Sequence, residues 1–247
     1  MSKVLLVTGG GRGIGAATCR LAAARGWAVA VNYAANAAAA EAVVAEIGQA
    51  GGVARAFQAD VADEAAVDSL FDAVTAAFGP IGALVNSAGV GGLNGRVQEF
   101  DAPKVARMLA VNVLGTMLCC RAAARRMSTA HGGAGGAIVN LSSMAATIGG
   151  RAGSAIYAAS KAAVDVYTVG LAKELAPQGI RVNAVRPGVT ITDMTAGATA
   201  AMAATIPMNR FATADEVAAP ILWLLSDEAS FIAGARLDAS GGGFLIS

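Results

Sequence analysis

Short apolar, β-branched runs alternate with longer alanine-rich segments along the 247-residue chain, and this alternation constrains the fold more than any other feature. Lys3 to Thr8, Ala28 to Asn32, Val53 to Gln58, Ala83 to Asn86, Ala137 to Leu141 and Arg181 to Val185 read as strands, with a seventh short strand over Ala235 to Asp238. Ile14 to Arg25, Ala37 to Ala50, Glu64 to Phe78, Lys104 to Met127, Ala155 to Leu175 and Asp215 to Leu225 have helical length and period. Strands that are apolar on both faces belong in a parallel sheet covered by helices on each side, so the expected class is a doubly wound α/β fold with a central sheet of about seven strands. Asp63 is placed to cap the helix that begins at Glu64, and Gly26, Gly51-Gly52 and Gly179 sit where helices should end. No linker, repeat or charge block divides residues 1–247, which read as one domain. Thr190 to Arg210, rich in Thr, Ala and Met, has the composition of a mobile lid over a site or of a plain surface helix.

Composition removes several function classes. A net charge of +1 with no basic block lacks the footprint of a nucleic-acid binder. The longest uninterrupted apolar runs, such as Val217 to Leu225, fall well short of the roughly 18 to 20 residues of a membrane span. Only 14% of residues are charged, against about 25% in an average domain, and oligomer contacts are the simplest reason for so thin a polar coat. Cys19, Cys119 and Cys120 form neither a disulfide framework nor a metal or redox motif, and the run Val4 to Val7 is too short for a signal peptide. A reducing, cytoplasmic setting is therefore expected, with no metal site. The single histidine, His131, lies in the segment HGGAGG, which reads as a flexible loop. Acid-base chemistry accordingly falls to tyrosine, lysine or carboxylates.

Directly after the first strand comes Thr8-Gly9-Gly10-Gly11-Arg12-Gly13-Ile14-Gly15, leading into a helix. Glycines let the backbone turn tightly and approach a pyrophosphate, whose charge the free N–H groups and positive end of the helix receive. Thr8, Gly9, Gly11, Arg12, Gly13, Ile14 and Gly15 are the candidate phosphate-side residues. An NAD-selective site usually carries an acidic residue at the end of the second strand, whereas here the chain reads Asn32-Tyr33-Ala34. With Arg12 available to a phosphate, NADP(H) is favoured over NAD(H). Downstream, Tyr157 and Lys161 share a helix face at the i, i+4 spacing, so the ammonium can favour the ionised form of a phenol that ordinarily titrates near roughly 10.

Glycines at 9, 13 and 15 make the pattern TGxxxGxG, which resembles the classical short-chain dehydrogenase/reductase family. The resemblance extends through Asn86-Ser87-Ala88-Gly89, Asn112, Tyr157-Ala-Ala-Ser-Lys161, Pro187-Gly188, Thr192 and the C-terminal Asp238-Ala-Ser-Gly-Gly, in family order over essentially the whole chain. It implies a Rossmann-type fold and a homotetramer built from the helices Lys104 to Met127 and Ala155 to Leu175 with the C-terminal strand region. Cofactor contacts implied in addition to the glycine loop are Asn32, Tyr33, Asp60 and Val61 on the adenosine side, Asn86, Ala88 and Gly89 after the fourth strand, Tyr157 and Lys161, and Pro187, Gly188, Thr190 and Thr192 around the nicotinamide. Thr190 stands where the family more usually has an aliphatic residue.

The implied catalytic set is Ser143, Tyr157, Lys161 and Asn112, with Ser142 as the alternative to Ser143 and Asn112 holding a water in a proton relay. Ser143 lies fourteen positions before Tyr157, one more than the commonest family spacing. The expected activity is hydride transfer between NADP(H) and a small carbonyl or alcohol substrate, in a sugar-dehydrogenase-like or uncharacterised bacterial branch. Two alternatives are a 3-oxoacyl-[acyl-carrier-protein] reductase and a non-catalytic NADP-sensing regulator. Gly91 to Val97, Met144 to Ile156 and Thr190 to Arg210 should line the substrate pocket.

Overall fold

The computed structural model describes residues 3–91, 95–195 and 199–243. In chain order the elements are β1 (Val4–Thr8), α1 (Gly13–Ala24), β2 (Ala28–Tyr33), α2 (Ala37–Gln49), β3 (Val53–Gln58), α3 (Glu64–Phe78) and β4 (Ile81–Asn86). There follow α4 (Ala102–Leu109), a π turn (Ala110–Gly115), α5 (Thr116–Met127), β5 (Gly136–Leu141), α6 (Ala145–Ile148) and α7 (Ala155–Leu175). The chain ends with β6 (Ile180–Pro187), α8 (Ala200–Ala203), α9 (Ala214–Leu225) and β7 (Arg236–Ala239). Among the described residues the strands form one parallel sheet in the order β3-β2-β1-β4-β5-β6-β7. The order reverses between β1 and β4, and in such sheets the crevice for a ligand opens at the carboxyl ends of the strands beside that reversal.

Alternation along the strands divides the core in two. Val4 and Leu6 face a layer of α3, α5 and α7, while Leu5 and Val7 face α1, α2 and α9, and all four are buried. Burying each such side chain contributes roughly 1.5 to 3 kcal/mol, which fixes the register of the central strands. Helix boundaries follow local chemistry: the Asp63 carboxylate accepts from Ala66 N at 3.0 Å, and Thr213 and Glu216 form a reciprocal capping box that starts α9.

Two expectations change. The single helix expected over Lys104 to Met127 begins at Ala102 and is interrupted by the π turn, where the bulged backbone carries the fully buried Asn112. As a whole the run Ala102–Met127 is long and apolar enough to cross a bilayer by composition alone, yet half of its most apolar stretch is buried in the fold, as a core helix is.

The segment HGGAGG, read from its composition as flexible, is a tightly packed seam. The amides of Gly133, Gly135 and Gly136 donate to Ser128 O, Met127 O and Gly179 O at 2.8, 2.7 and 3.0 Å. A Cβ on Gly135, whose φ is +77°, would lie 2.5 Å from Gly179 O. Glycine is required there because backbones touch. His131 is exposed at the edge of this seam. Residues 92–94 and 196–198, within two of the segments expected to line a pocket, lie outside the described residues.

Gly135→Ala is therefore expected to lower stability by roughly 2 to 4 kcal/mol, and His131→Ala to change it by less than about 0.5 kcal/mol. Urea unfolding checks both; equal midpoints would contradict the packed seam.

Candidate active site

The glycine loop lies at the sheet's reversal point because β1 ends there. The Thr8 hydroxyl accepts hydrogen bonds from the amides of Ser87 and Ala88, both at 3.1 Å, and so fastens the end of β1 to the loop after β4. A Cβ at Gly9 would sit 2.8 Å from Ala88 Cα, and one at Gly15 would sit 2.4 Å from Gly9 O, so close approach dictates glycine at both positions. The cap residue of α1, Arg12, gives no side-chain cap, and the first turn carries no acidic residue. The amides of Gly13, Ile14 and Gly15 are thus left without intrahelical acceptors at the positive end of a twelve-residue helix. That arrangement fits the pyrophosphate of a dinucleotide. Gly11 packs its backbone against Ala40.

The segment after β6 passes over this loop. Thr192 lies against Gly13, its methyl 3.1 Å from where a Cβ would stand. Arg12 Nη1 approaches Asp193 Oδ2 at 3.7 Å, an exposed pair of the kind that contributes little to stability. Thr190 is buried, donates to Gly188 O at 3.2 Å and accepts at its carbonyl from the Thr195 hydroxyl. Gly188 N bonds Ala239 O at 2.9 Å and Pro187 O accepts from Met144 N at 3.0 Å, so the Pro187-Gly188 turn is tied to both neighbouring strands' ends.

On the adenosine side the candidates lie at the ends of β2 and β3. Asn32 is 1% exposed, and its amide donates to Phe57 O and Ala59 O at 3.3 and 3.1 Å while its oxygen faces Gly9 N at 3.4 Å. Its side chain ties the glycine loop to the end of β3. Tyr33 is half-buried at the strand end. Asp60 accepts from Ala62 N at 3.0 Å and lies 2.8 Å from Arg107 of α4. Burial pushes the Asp60 carboxyl upward, but the Ala62 amide and Arg107 outweigh it and hold the group below its ordinary range. Val61 is buried, its side chain and its carbonyl both packed against Gly115 of the π turn. Asn86 joins β4 to β5 through Asn140 at 2.9 Å, and its own Oδ1 is buried without a partner among the described residues. Ala88 and Gly89 continue from that point, Gly89 running beside both Asn112 and Lys161.

The catalytic candidates converge next to this crevice. Ser143 hydrogen-bonds Tyr157; burial raises the phenol above its ordinary value and the Ser143 bond opposes that rise. The expected help from Lys161 is one of proximity, since its ammonium lies 5.9 Å from the Tyr157 ring centroid. Lys161 is 5% exposed and donates to Leu141 O at 2.8 Å. Burial pushes its pKa down from 10.5 to about 8, with Asp165 acting in the opposite direction. Ser142 points the other way from Ser143, donating to Lys161 O at 3.1 Å. The geometry therefore separates the two serines: Ser143 faces the tyrosine and Ser142 ties strand to helix.

Both ends of the Asn112 amide are engaged by the chain itself. Its oxygen accepts from Val90 N at 2.8 Å, and its nitrogen donates to Val90 O at 3.0 Å and Ser160 Oγ at 3.1 Å. The Asn112 side chain is thus a clamp on the loop after Gly89. Ser160, Arg107 and Asp165 were not singled out by sequence reasoning. Ser160 and Asp165 could have been found by helical spacing, at i+3 from Tyr157 and i+4 from Lys161; Arg107 has no such signal.

Residues 9–243 match the family model described as Enoyl-(Acyl carrier protein) reductase. The chain is 48% identical to the uncharacterized oxidoreductase YgfF of Escherichia coli over 244 residues, covering 97% of this chain and 99% of that protein. It is 42% identical to D-threitol dehydrogenase of Mycolicibacterium smegmatis over 245 residues, covering 97% and 92% of the two chains. A crystal structure of a short chain dehydrogenase from Burkholderia cenocepacia in complex with NADP superposes with a TM-score of 0.90 at 40% identity, covering 98% of this chain and 97% of that one. With the same fold, the same motif order and these similarities over nearly its full length, the chain belongs to the short-chain dehydrogenase/reductase family.

Proposed function

We propose that this protein is an NADP(H)-dependent oxidoreductase that interconverts a small uncharged carbonyl compound and its alcohol. The observation that carries the reading is the convergence of Ser143, Tyr157 and Lys161 beside an uncapped helix end at the sheet's reversal point. When bound, the nicotinamide supplies or accepts the hydride. Tyr157 gives its phenolic proton to the substrate oxygen in reduction and takes it back in oxidation. Ser143 donates to the same oxygen and stabilises the charge that develops there. Lys161 supplies positive charge next to the phenol. The free amides of Gly13 to Gly15 receive the pyrophosphate, and Arg12 is free to exchange its weak pairing with Asp193 for a phosphate. The solved relative in complex with NADP supports this cofactor preference. D-threitol dehydrogenase among the relatives supports a neutral, alcohol-bearing substrate. Residues Thr190 to Arg210 act as the lid, their first part lying over the glycine loop.

The same reading gives a cytoplasmic homotetramer that engages neither nucleic acid nor membrane. Support comes from the near-neutral charge, from three cysteines that are all buried and unpaired, and from exposed apolar side chains on the proposed contact helices, Leu109, Leu114 and Val166. Light scattering should give four times the monomer mass; a stable monomer would contradict the assembly.

Tyr157→Phe should abolish turnover, by about a thousandfold or more, while leaving NADPH fluorescence titrations nearly unchanged. Ser143→Ala should lower kcat by about a hundredfold or more, and Ser142→Ala by much less. Near-normal turnover in Tyr157→Phe would sink the proposal. The pH dependence has a definite sign. Lys161 is the charged form below about 8, so reduction should be fast below that pH and fall as the pH rises through it. A rate measured at saturating cofactor and substrate that stays flat from pH 7 to 10 would contradict the role given to the ammonium.

A further inference from the structure

A second charged cluster, which takes no part in the chemistry above, lies behind Lys161. Asp165 follows Lys161 by one turn of α7 and Tyr157 by two, so the three share one helix face. Its side chain is 6% exposed, and Oδ2 accepts from Arg186 Nε at 2.7 Å. Asp165 Oδ1 is buried without a partner among the described residues. The other arm of Arg186, itself only 13% exposed, reaches Asp238 Oδ1 at 3.4 Å, across the β6 and β7 register that pairs these two residues. Arg186 immediately precedes Pro187, whose carbonyl holds Met144 next to Ser143, and Gly188, whose amide holds β7. One ion pair thus fastens α7 to the strand end that carries both the serine loop and the turn expected at the nicotinamide.

A buried ion pair is a poor device for stability, because desolvation offsets much of its attraction and an apolar pair of equal volume serves as well. In a chain with so few charges its position therefore calls for another reason. Lys161 is buried with a carbonyl as its hydrogen-bond partner, and among the described residues no carboxylate lies within ion-pair distance of it. The groups around it are Tyr157 and Asp165 from α7, Leu141 O from β5, and the neutral Gly89 and Asn112 from the loop after β4 and the π turn. Arg186 of β6 and Asp238 of β7 stand behind Asp165. Asp165 is the one carboxylate on the helix face of the ammonium.

We propose that Asp165, clamped by Arg186, is a positioning residue that keeps the Lys161 ammonium charged and seated between Leu141 and Tyr157. Asp165 touches no reacting atom. The inference rests on the role given to Tyr157 and Lys161 under the proposed function.

The full chain has four lysines, Lys3, Lys104, Lys161 and Lys173, so 13C-labelled lysine lets the Lys161 side chain be titrated directly by NMR, without cofactor or turnover. The wild-type midpoint is expected at about 8. In Asp165→Asn it should fall by roughly one pH unit, with the alkaline limb of the pH–rate profile moving by the same amount. Asp165→Asn leaves Arg186 with only its longer contact to Asp238 and can fail to fold, so the double variant Asp165→Asn, Arg186→Gln replaces the ion pair with a neutral amide pair and should show a fall in the same direction. An unmoved Lys161 midpoint in the double variant overturns the proposal. A midpoint that moves while the pH–rate limb stays in place keeps the coupling but overturns the role of Lys161 in turnover. Tyr157→Phe tests that role independently of Asp165.

Discussion

A buried ammonium bonded to a strand-end carbonyl is the constraint around which the rest of this structure is arranged. Lys161 Nζ reaches Leu141 O only if α7 passes the end of β5 at one height, and the Ser142 hydroxyl fixes that height by returning to Lys161 O. Helix and strand are held by two bonds running in opposite directions, so neither can slide without leaving a buried donor unsatisfied. The placement of Ser143 follows from this tie, because it is the next residue along and faces the opposite way.

The remaining polar groups inside the protein do similar work with uncharged side chains. Thr8 joins β1 to the loop after β4, Asn32 joins the glycine loop to β3, and Asn112 joins the π turn to Val90. Asn86, Asn140 and Thr168 form a chain from β4 through β5 to α7. An apolar sheet and its helices would accept several registers at little difference in burial. Directional bonds of this kind select one of them, and they are concentrated where the strands end and the site begins.

Much of this was legible in the sequence. The bounds of α3 and α7 follow from their period and punctuation, and the glycine loop, Tyr157 and Lys161 follow from spacing. Three things were not legible, each for a physical reason. Asn32 carries no mark of whether its amide faces a ligand or a neighbouring strand, since the choice depends on carbonyls of Phe57 and Ala59 about twenty-five residues away. The segment HGGAGG has the composition of a mobile loop, but its glycines answer to the close passage of Met127, Gly82 and Gly179, which composition does not reveal. The π turn hides within an alanine-rich helical pattern because one extra residue shifts the period without interrupting it.

That shift has a structural consequence of its own. A residue added within a turn rotates everything upstream by about 100° relative to everything downstream. The run from Ala102 to Met127 is therefore one rod with two independent phases. The α5 half turns Leu118, Cys119, Cys120, Ala122 and Ala123 onto the sheet, whereas α4 buries only Met108. The two halves answer to different neighbours. Substitutions along α4 can reshape the surface next to residues 95–101 without rephasing the face that α5 presents to the core. The helix thus divides into a part held to the core by Met108 and a part held along a whole face.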